Sequence, residues 1–281
     1  EWIKHDGKWI NVEMPALGYK VVDLDSNVEM PIMNIAQENV LENDKIRVVF
    51  ANDGTIESIY DKEYDREALD KDQRSNRLIV YEDHGDAWDF PIQYDEYPGS
   101  SFELVNSTNY IDGPRIIRKN SYKYGKSSLT QEVVLTWGSK RIDFNTVVDW
   151  KEDNKMLRSL FSVDVYSDQV TCDIQFGSIK RPTHQNTSWD MAKYEICAHK
   201  WVDISQGDYG VALLNDCKYG HKVWENNISI NLLRSPSYPD PVADRGVHEL
   251  TYSLYPHVGN YEEGNVVREG YELNIPLRVI K

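Results

Sequence analysis

Ile142-Asp143-Phe144-Asn145-Thr146-Val147-Val148-Asp149-Trp150 alternates with a period near two, sending one set of side chains into a core and the other toward water. That pattern predicts an antiparallel strand in a sheet with one wet face. The same period runs outward from it. Upstream, Ile46-Arg47-Val48-Val49-Phe50 and Thr55-Ile56-Glu57-Ser58-Ile59-Tyr60 read as two strands joined by a tight turn at Asn52-Asp53-Gly54, because glycine tolerates positive φ. Further strands are predicted at 77–81, 101–107, 115–122, 129–137, 141–150, 156–165, 171–179, 199–205, 210–215, 228–233, 249–255 and 271–280, nearly all bounded by Gly, Pro, Asn or Asp. Short helices are expected at 67–70 and 188–192, too brief to define an α/β fold. An open antiparallel sheet of such width would curl or split, so the fold class is all-β, a large two-sheet sandwich.

At 281 residues the chain has room for one large β domain or two ordinary ones. A boundary is expected near residue 40. Residues 1–40, broken by Pro15-Ala16-Leu17-Gly18-Tyr19 and Met30-Pro31, read as the remnant of a preceding β or linker segment too small to fold alone. Residues 41–281 form the main domain, and the chain reads as excised at its N-terminal side. There are no internal repeats.

The 31 basic and 46 acidic residues leave a net charge of −15, which repels phosphate backbones and anionic lipid. Nucleic acid and membrane are therefore not expected as partners. No apolar run approaches the roughly 20 residues that cross a bilayer. Cys172, Cys197 and Cys217 are odd in number and widely spaced, which fits neither a disulfide framework nor a CxxC metal site and points to a reducing, cytoplasmic compartment. Sequons at Asn106, Asn186 and Asn227 do not outweigh that reading. Eight Trp and eighteen Tyr suit both sheet cores and surfaces that stack on sugar rings, with most assigned to the core.

Two polar stretches stand out. Glu82-Asp83-His84-Gly85-Asp86-Ala87-Trp88-Asp89 follows a strand and reads as a sugar subsite, a hard-cation site or a solvated loop. Lys180-Arg181-Pro182-Thr183-His184-Gln185-Asn186-Thr187-Ser188-Trp189-Asp190 lies between strands and reads either as a hydroxyl-recognising loop or as a structural one. The candidate substrate-binding residues are Asp86, Trp88, Asp89, Arg181, His184, Asn186 and Trp189. Glycoside hydrolysis needs a spaced carboxylate pair, and 46 acidic residues do not nominate one. No HExxH, GxSxG, P-loop or GxGxxG is present, and the histidine spacings suggest no zinc site. No catalytic and no metal-binding residue is assigned.

Five segments in order carry a resemblance: Arg181-Pro182-Thr183-His184-Gln185-Asn186-Thr187-Ser188-Trp189-Asp190, Ala198-His199-Lys200-Trp201-Val202-Asp203, Leu214-Asn215-Asp216-Cys217-Lys218-Tyr219-Gly220, Leu232-Leu233-Arg234-Ser235-Pro236 and Leu254-Tyr255-Pro256-His257. Together with Pro15-Ala16-Leu17-Gly18-Tyr19 and Asp86-Ala87-Trp88-Asp89-Phe90, they make the chain resemble the C-terminal region of family 38 α-mannosidases, especially the cytosolic type. His84-Gly85 departs from the bulkier residues common there. The resemblance implies a supersandwich shared with galactose mutarotases and a retaining, exo-acting α-mannosidase as parent. It also implies that the Asp nucleophile and a zinc ion belong to an N-terminal α/β barrel, followed by a helical bundle. Those domains and mannose oligosaccharides are the expected partners, and no cofactor is expected on this segment. An independent carbohydrate-binding module and a mutarotase-like enzyme are the competing functions.

Overall fold

The computed structural model describes residues 1–23, 29–89 and 91–280. The chain opens with the hairpin β1 (Trp2–His5) and β2 (Lys8–Asn11), then β3 (Val40–Glu42), β4 (Ile46–Phe50), β5 (Ile56–Asp61) and β6 (Arg66–Glu67). Next come β7 (Arg77–Glu82), β8 (Ser100–Ser101), β9 (Glu103–Asp112), β10 (Arg115–Tyr124), β11 (Ser127–Thr136), β12 (Ile142–Trp150) and β13 (Lys155–Ser162). The hairpin β14 (Gln169–Ile174) and β15 (Gly177–Pro182) leads through α1 (Ser188–Met191) to β16 (Ile196–Cys197), β17 (Trp201–Ser205) and β18 (Tyr209–Asn215). The chain closes with β19 (Gly220–Trp224), β20 (Asn227–Arg234), β21 (Gly246–Val258) and α2 (Val266–Asn274).

Three antiparallel sheets enclose the main core. A nine-stranded sheet runs β15-β14-β17-β18-β21-β12-β11-β10-β9, a six-stranded sheet β16-β19-β20-β13-β7-β8, and a four-stranded sheet β3-β4-β5-β6. The alternating segment 142–150 is β12, in the interior of the larger sheet. Phe144 lies opposite Val133 of β11 and Tyr252 of β21, and Ile142, Phe144, Val148 and Trp150 are fully buried while Asn145 and Val147 face water. From the six-stranded sheet, Leu157, Phe161, Ile228, Ile230 and Leu232 meet them, and Ile46, Val48 and Phe50 of β4 complete the layer. Each such burial contributes about 1.5–3 kcal/mol. Gly54 has φ +84° at the β4–β5 turn, and a Cβ there would stand 2.5 Å from the Tyr122 hydroxyl.

Polar groups cross this core as one network. Asn76 donates to Gln131 Oε1 (2.8 Å), Gln131 donates to Thr146 Oγ1 (3.1 Å) and Tyr252 Oη (2.8 Å), and Tyr252 donates back to Asn76 Oδ1 (2.7 Å). Ser159 of β13 also donates to Asn76 Oδ1 at 3.2 Å, so both large sheets share the network.

Several expectations are corrected. The strand placed at 271–280 is absent; α2 covers Val266–Asn274 instead, and residues 275–280 form no strand. Its Val266 packs with Trp201, Ala212 and Leu214 on the outer face of the nine-stranded sheet, Leu273 joins them, and Gly270 lies against Trp201. The helix placed at 67–70 is replaced by β6 and an isolated bridge from Leu69 to Val163, because the Glu67 carboxylate accepts from the Ile59 and Leu69 amides and pins the segment extended. The strand placed at 171–179 is the β14–β15 hairpin, which reverses through Phe176 at φ +60°. The helix at 188–192 forms as α1, capped by Thr187 in a reciprocal pair with Asp190.

Candidate functional site

The first polar stretch leaves β7 and is pinned from below. Arg234, at the end of β20, donates to both oxygens of buried Asp83 (2.7 and 3.1 Å) and to the carbonyls of Asp86 (3.0 Å) and Asp89 (3.1 Å). Asp86 Oδ1 accepts the amides of Trp88 (2.8 Å) and Asp89 (3.0 Å), the local turn that Asp favours. Its carboxylate therefore shapes the loop. Trp88 is 74% exposed, and its ring centroid lies 6.1 Å from that of exposed Tyr238. Phe90, in the same sequence element, lies outside the described residues.

The second stretch begins in the edge strand β15, where half-buried Arg181 faces Val170. His184 Nδ1 stands 3.7 Å from Asp190 Oδ2, Asn186 is exposed and Trp189 is 80% exposed. Hydrogen bonding to Thr187 comes first in holding the Asp190 carboxyl below its ordinary value. The two stretches meet further along each loop: Tyr194 donates to Asp89 Oδ1 at 3.4 Å, and Tyr94 donates to Glu195 Oε1 at 2.7 Å.

Between the loops lies a cleft of about 420 Å³ on the outer face of the six-stranded sheet. Its floor is made by outward side chains of neighbouring strands, with Arg77 and Tyr81 from β7, Arg158 and Leu160 from β13, and Lys222, Trp224, Asn227 and Ser229 from β19 and β20. Residues 92–96 wall one side, and Gln185 and Met191 the other. None of the seven nominated residues lines it. The cleft and the nominated residues therefore occupy different parts of the same two loops.

Arg158 organises the floor. Only 1% exposed, it donates to Glu195 Oε1 (2.9 Å) and Ser229 Oγ (3.0 Å), and its guanidinium carbon sits 5.4 Å from the Tyr94 ring centroid. Burial opposes its charge, and Glu195 followed by Tyr94 more than offsets this, so Arg158 titrates above its ordinary value. Burial likewise pushes the Tyr94 hydroxyl well above its ordinary range. Lys222 pairs with Asp95 and stands 5.3 Å from the same ring, which meets Tyr81 edge-on at 5.2 Å. The signal for this site was Arg158 itself, a lone arginine within Met156-Leu157-Arg158-Ser159-Leu160-Phe161. An arginine in so apolar a strand demands a carboxylate from elsewhere.

Other chemistries find little here. Among the described residues no group of three or more His, Cys, Asp or Glu is arranged to hold a metal, so these residues do not fit a zinc site. Glu269, whose carboxyl burial raises, lies on α2 against the nine-stranded sheet, beside Arg141. Burial pushes the Cys172 thiol up to about 12 and the Cys217 thiol up to about 11, so neither is a ready nucleophile near neutral pH.

The model of the glycosyl hydrolases family 38 C-terminal domain matches residues 41–242. The chain belongs to glycosyl hydrolase family 38. Within this family it is 41% identical over 246 residues to alpha-mannosidase G of Dictyostelium discoideum, covering 84% of this chain and 22% of that protein. It is 36% identical over 281 residues to alpha-mannosidase 2C1 of Mus musculus, covering 95% of this chain and 27% of that protein. The chain thus spans about a quarter of the length of these curated relatives. An Enterococcus faecalis crystal structure of a protein in glycosyl hydrolase family 38 superposes with a TM-score of 0.74 at 16% identity, covering 89% of this chain and 34% of that one. That likeness shows a shared β fold.

Proposed function

We propose that this family 38 domain belongs to a retaining, exo-acting α-mannosidase that removes terminal α-mannosides. In this reading the domain braces a catalytic barrel elsewhere in the same polypeptide, where the nucleophile and the zinc ion reside, and bond cleavage is not performed by its own residues. The observation that carries it is the family match across residues 41–242, joined to relatives named alpha-mannosidases of which the chain covers only a C-terminal-type portion. Three free thiols, two of them exposed, support a cytoplasmic setting, and no helix among the described residues is long and apolar enough to cross a membrane.

The exposed Trp88 and Trp189, with Asp86, Asp89, Arg181, His184 and Asn186 beside them in the two loops, are proposed to form part of the rim of the mannose pocket. Trp88 offers an aromatic face and Arg181 a fixed donor array, the groups that orient a hydroxylated ring.

The full-length polypeptide is expected to hydrolyse 4-nitrophenyl α-mannoside and to release the α-anomer of mannose first, as followed by proton NMR. Absence of hydrolysis, or first release of the β-anomer, overturns the assignment. Trp88→Ala and Arg181→Ala are each expected to lower turnover of that protein by about tenfold, a loss on the order of 1.4 kcal/mol. Unchanged kinetics in folded variants would remove these loops from the rim.

A further inference from the structure

We propose that the cleft over Arg158 is a second, noncatalytic site that binds a neutral oligosaccharide. It lies beside the loops assigned to the rim, but it uses different residues and does not require the hydrolytic reading to hold.

Its size, about 420 Å³, falls within the roughly 300–1,000 Å³ typical of small-molecule sites. Charge selects the ligand class. The cations Arg77, Arg158 and Lys222 are matched by Asp95 and Glu96 in the wall and by Glu195, bonded to Arg158 at 2.9 Å. Lys222 is moreover paired to Asp95, and the whole chain carries −15. A phosphate or carboxylate finds no net positive field in such a setting.

What remains for a ligand is amide and hydroxyl chemistry. Gln93 and Gln185 each carry a donor and an acceptor, whereas Asn227 is held by Ser162 (2.6 Å) and Asn226 (3.2 Å) and Ser229, which accepts from Arg158 and donates to the Lys222 carbonyl (3.3 Å), presents a fixed hydroxyl oxygen. Trp224, 38% exposed, supplies a flat apolar face in the cleft floor. Side chains that both donate and accept, set beside one aromatic face, complement a pyranose, which presents hydroxyls around its edge and C–H groups on its face.

The site is also preformed. Arg158, Tyr94, Glu195 and Tyr81 are locked to one another beneath it by an ion pair, a hydrogen bond and an edge-on ring contact, so little floor has to be ordered on binding.

The test titrates the full-length protein calorimetrically with an S-linked α-mannobiose, which resists hydrolysis. Two classes of site are expected in the parent. Trp224→Ala is expected to abolish one class and Gln185→Ala to weaken it by about tenfold, with melting temperatures and the kcat/KM for 4-nitrophenyl α-mannoside within about twofold of the parent. An isotherm unchanged by Trp224→Ala overturns the proposal, as does a single class whose loss abolishes hydrolysis, because the cleft would then be the catalytic pocket. Tighter binding of mannose 6-phosphate than of mannose at the Trp224-dependent site would overturn the neutral-ligand assignment. A protein that hydrolyses nothing yet loses sugar binding on Trp224→Ala would sink the α-mannosidase reading and support this site.

Discussion

The two outer faces of the sandwich are covered in different ways, though each has an arginine beneath its cover. On the nine-stranded sheet, Arg141 pairs with Asp143 (2.7 Å) and with Glu269 of α2 (3.1 Å), while Val266 and Leu273 press the helix onto Trp201, Ala212 and Leu214. On the six-stranded sheet, Arg158 pairs with Glu195 (2.9 Å) under two irregular loops. A helix presents a continuous apolar stripe and lies flat on its sheet. Loops that meet through Tyr94, Glu195, Asp89 and Tyr194 touch at polar points and leave space between them. The covering element, more than the sheet, decides where a cleft can exist.

The loop cover depends most on Arg158. Replacing it with Met leaves Glu195 without its cation, and urea denaturation is expected to show a loss of about 3–5 kcal/mol. The double variant R158M/E195Q should recover much of that loss. Equal losses in the single and double variants would mean that the ion pair does not hold the loops down.

His221, buried in β19 beneath the same face, sharpens the contrast through pH. Its Nδ1 lies 3.2 Å from the Tyr219 carbonyl, which can only accept, so the neutral ring donates there. Burial lowers its pKa from 6.5 to about 4. Between those values the unfolded chain binds the proton and the folded chain does not, so the contribution is complete above 6.5 and disappears as pH falls toward 4. His221→Gln is expected to remove roughly 3 kcal/mol of this acid sensitivity, read as stability at pH 7 minus stability at pH 4. Parallel pH profiles for parent and variant would exclude His221 as the source.

The helical cover is tested at Gly270, where a Cβ would stand 2.9 Å from Trp201 Cδ1. Gly270→Val is expected to cost about 1–3 kcal/mol and to shift the Trp201 environment in near-ultraviolet circular dichroism. No loss would mean that α2 lifts without consequence for the sheet.

Much of the sheet framework was legible because alternation reports directly on a half-buried strand. β12 and the β4–β5 hairpin formed where the pattern placed them. The C-terminal helix was misread because Tyr271, Leu273, Ile275, Leu277 and Val279 alternate with the period of a strand, although Val266, Gly270 and Leu273 share one helical face. The site was only half legible. Loops advertise themselves by polar density, but the cleft is built from Arg158, Lys222 and Trp224 on strands, and which of their faces stays uncovered depends on segments distant in sequence. Asp86 drew attention as a carboxylate, yet its oxygen was already holding backbone amides.

The network of Asn76, Gln131, Thr146, Ser159 and Tyr252 acts like a bolt through the two walls. Sliding one sheet against the other by a residue pair would strand these donors and acceptors in oil, a penalty far larger than that of a greasy interface re-registering. The network thus favours a single register between the two sheets, and with it a single placement of the strand ends from which the loops leave.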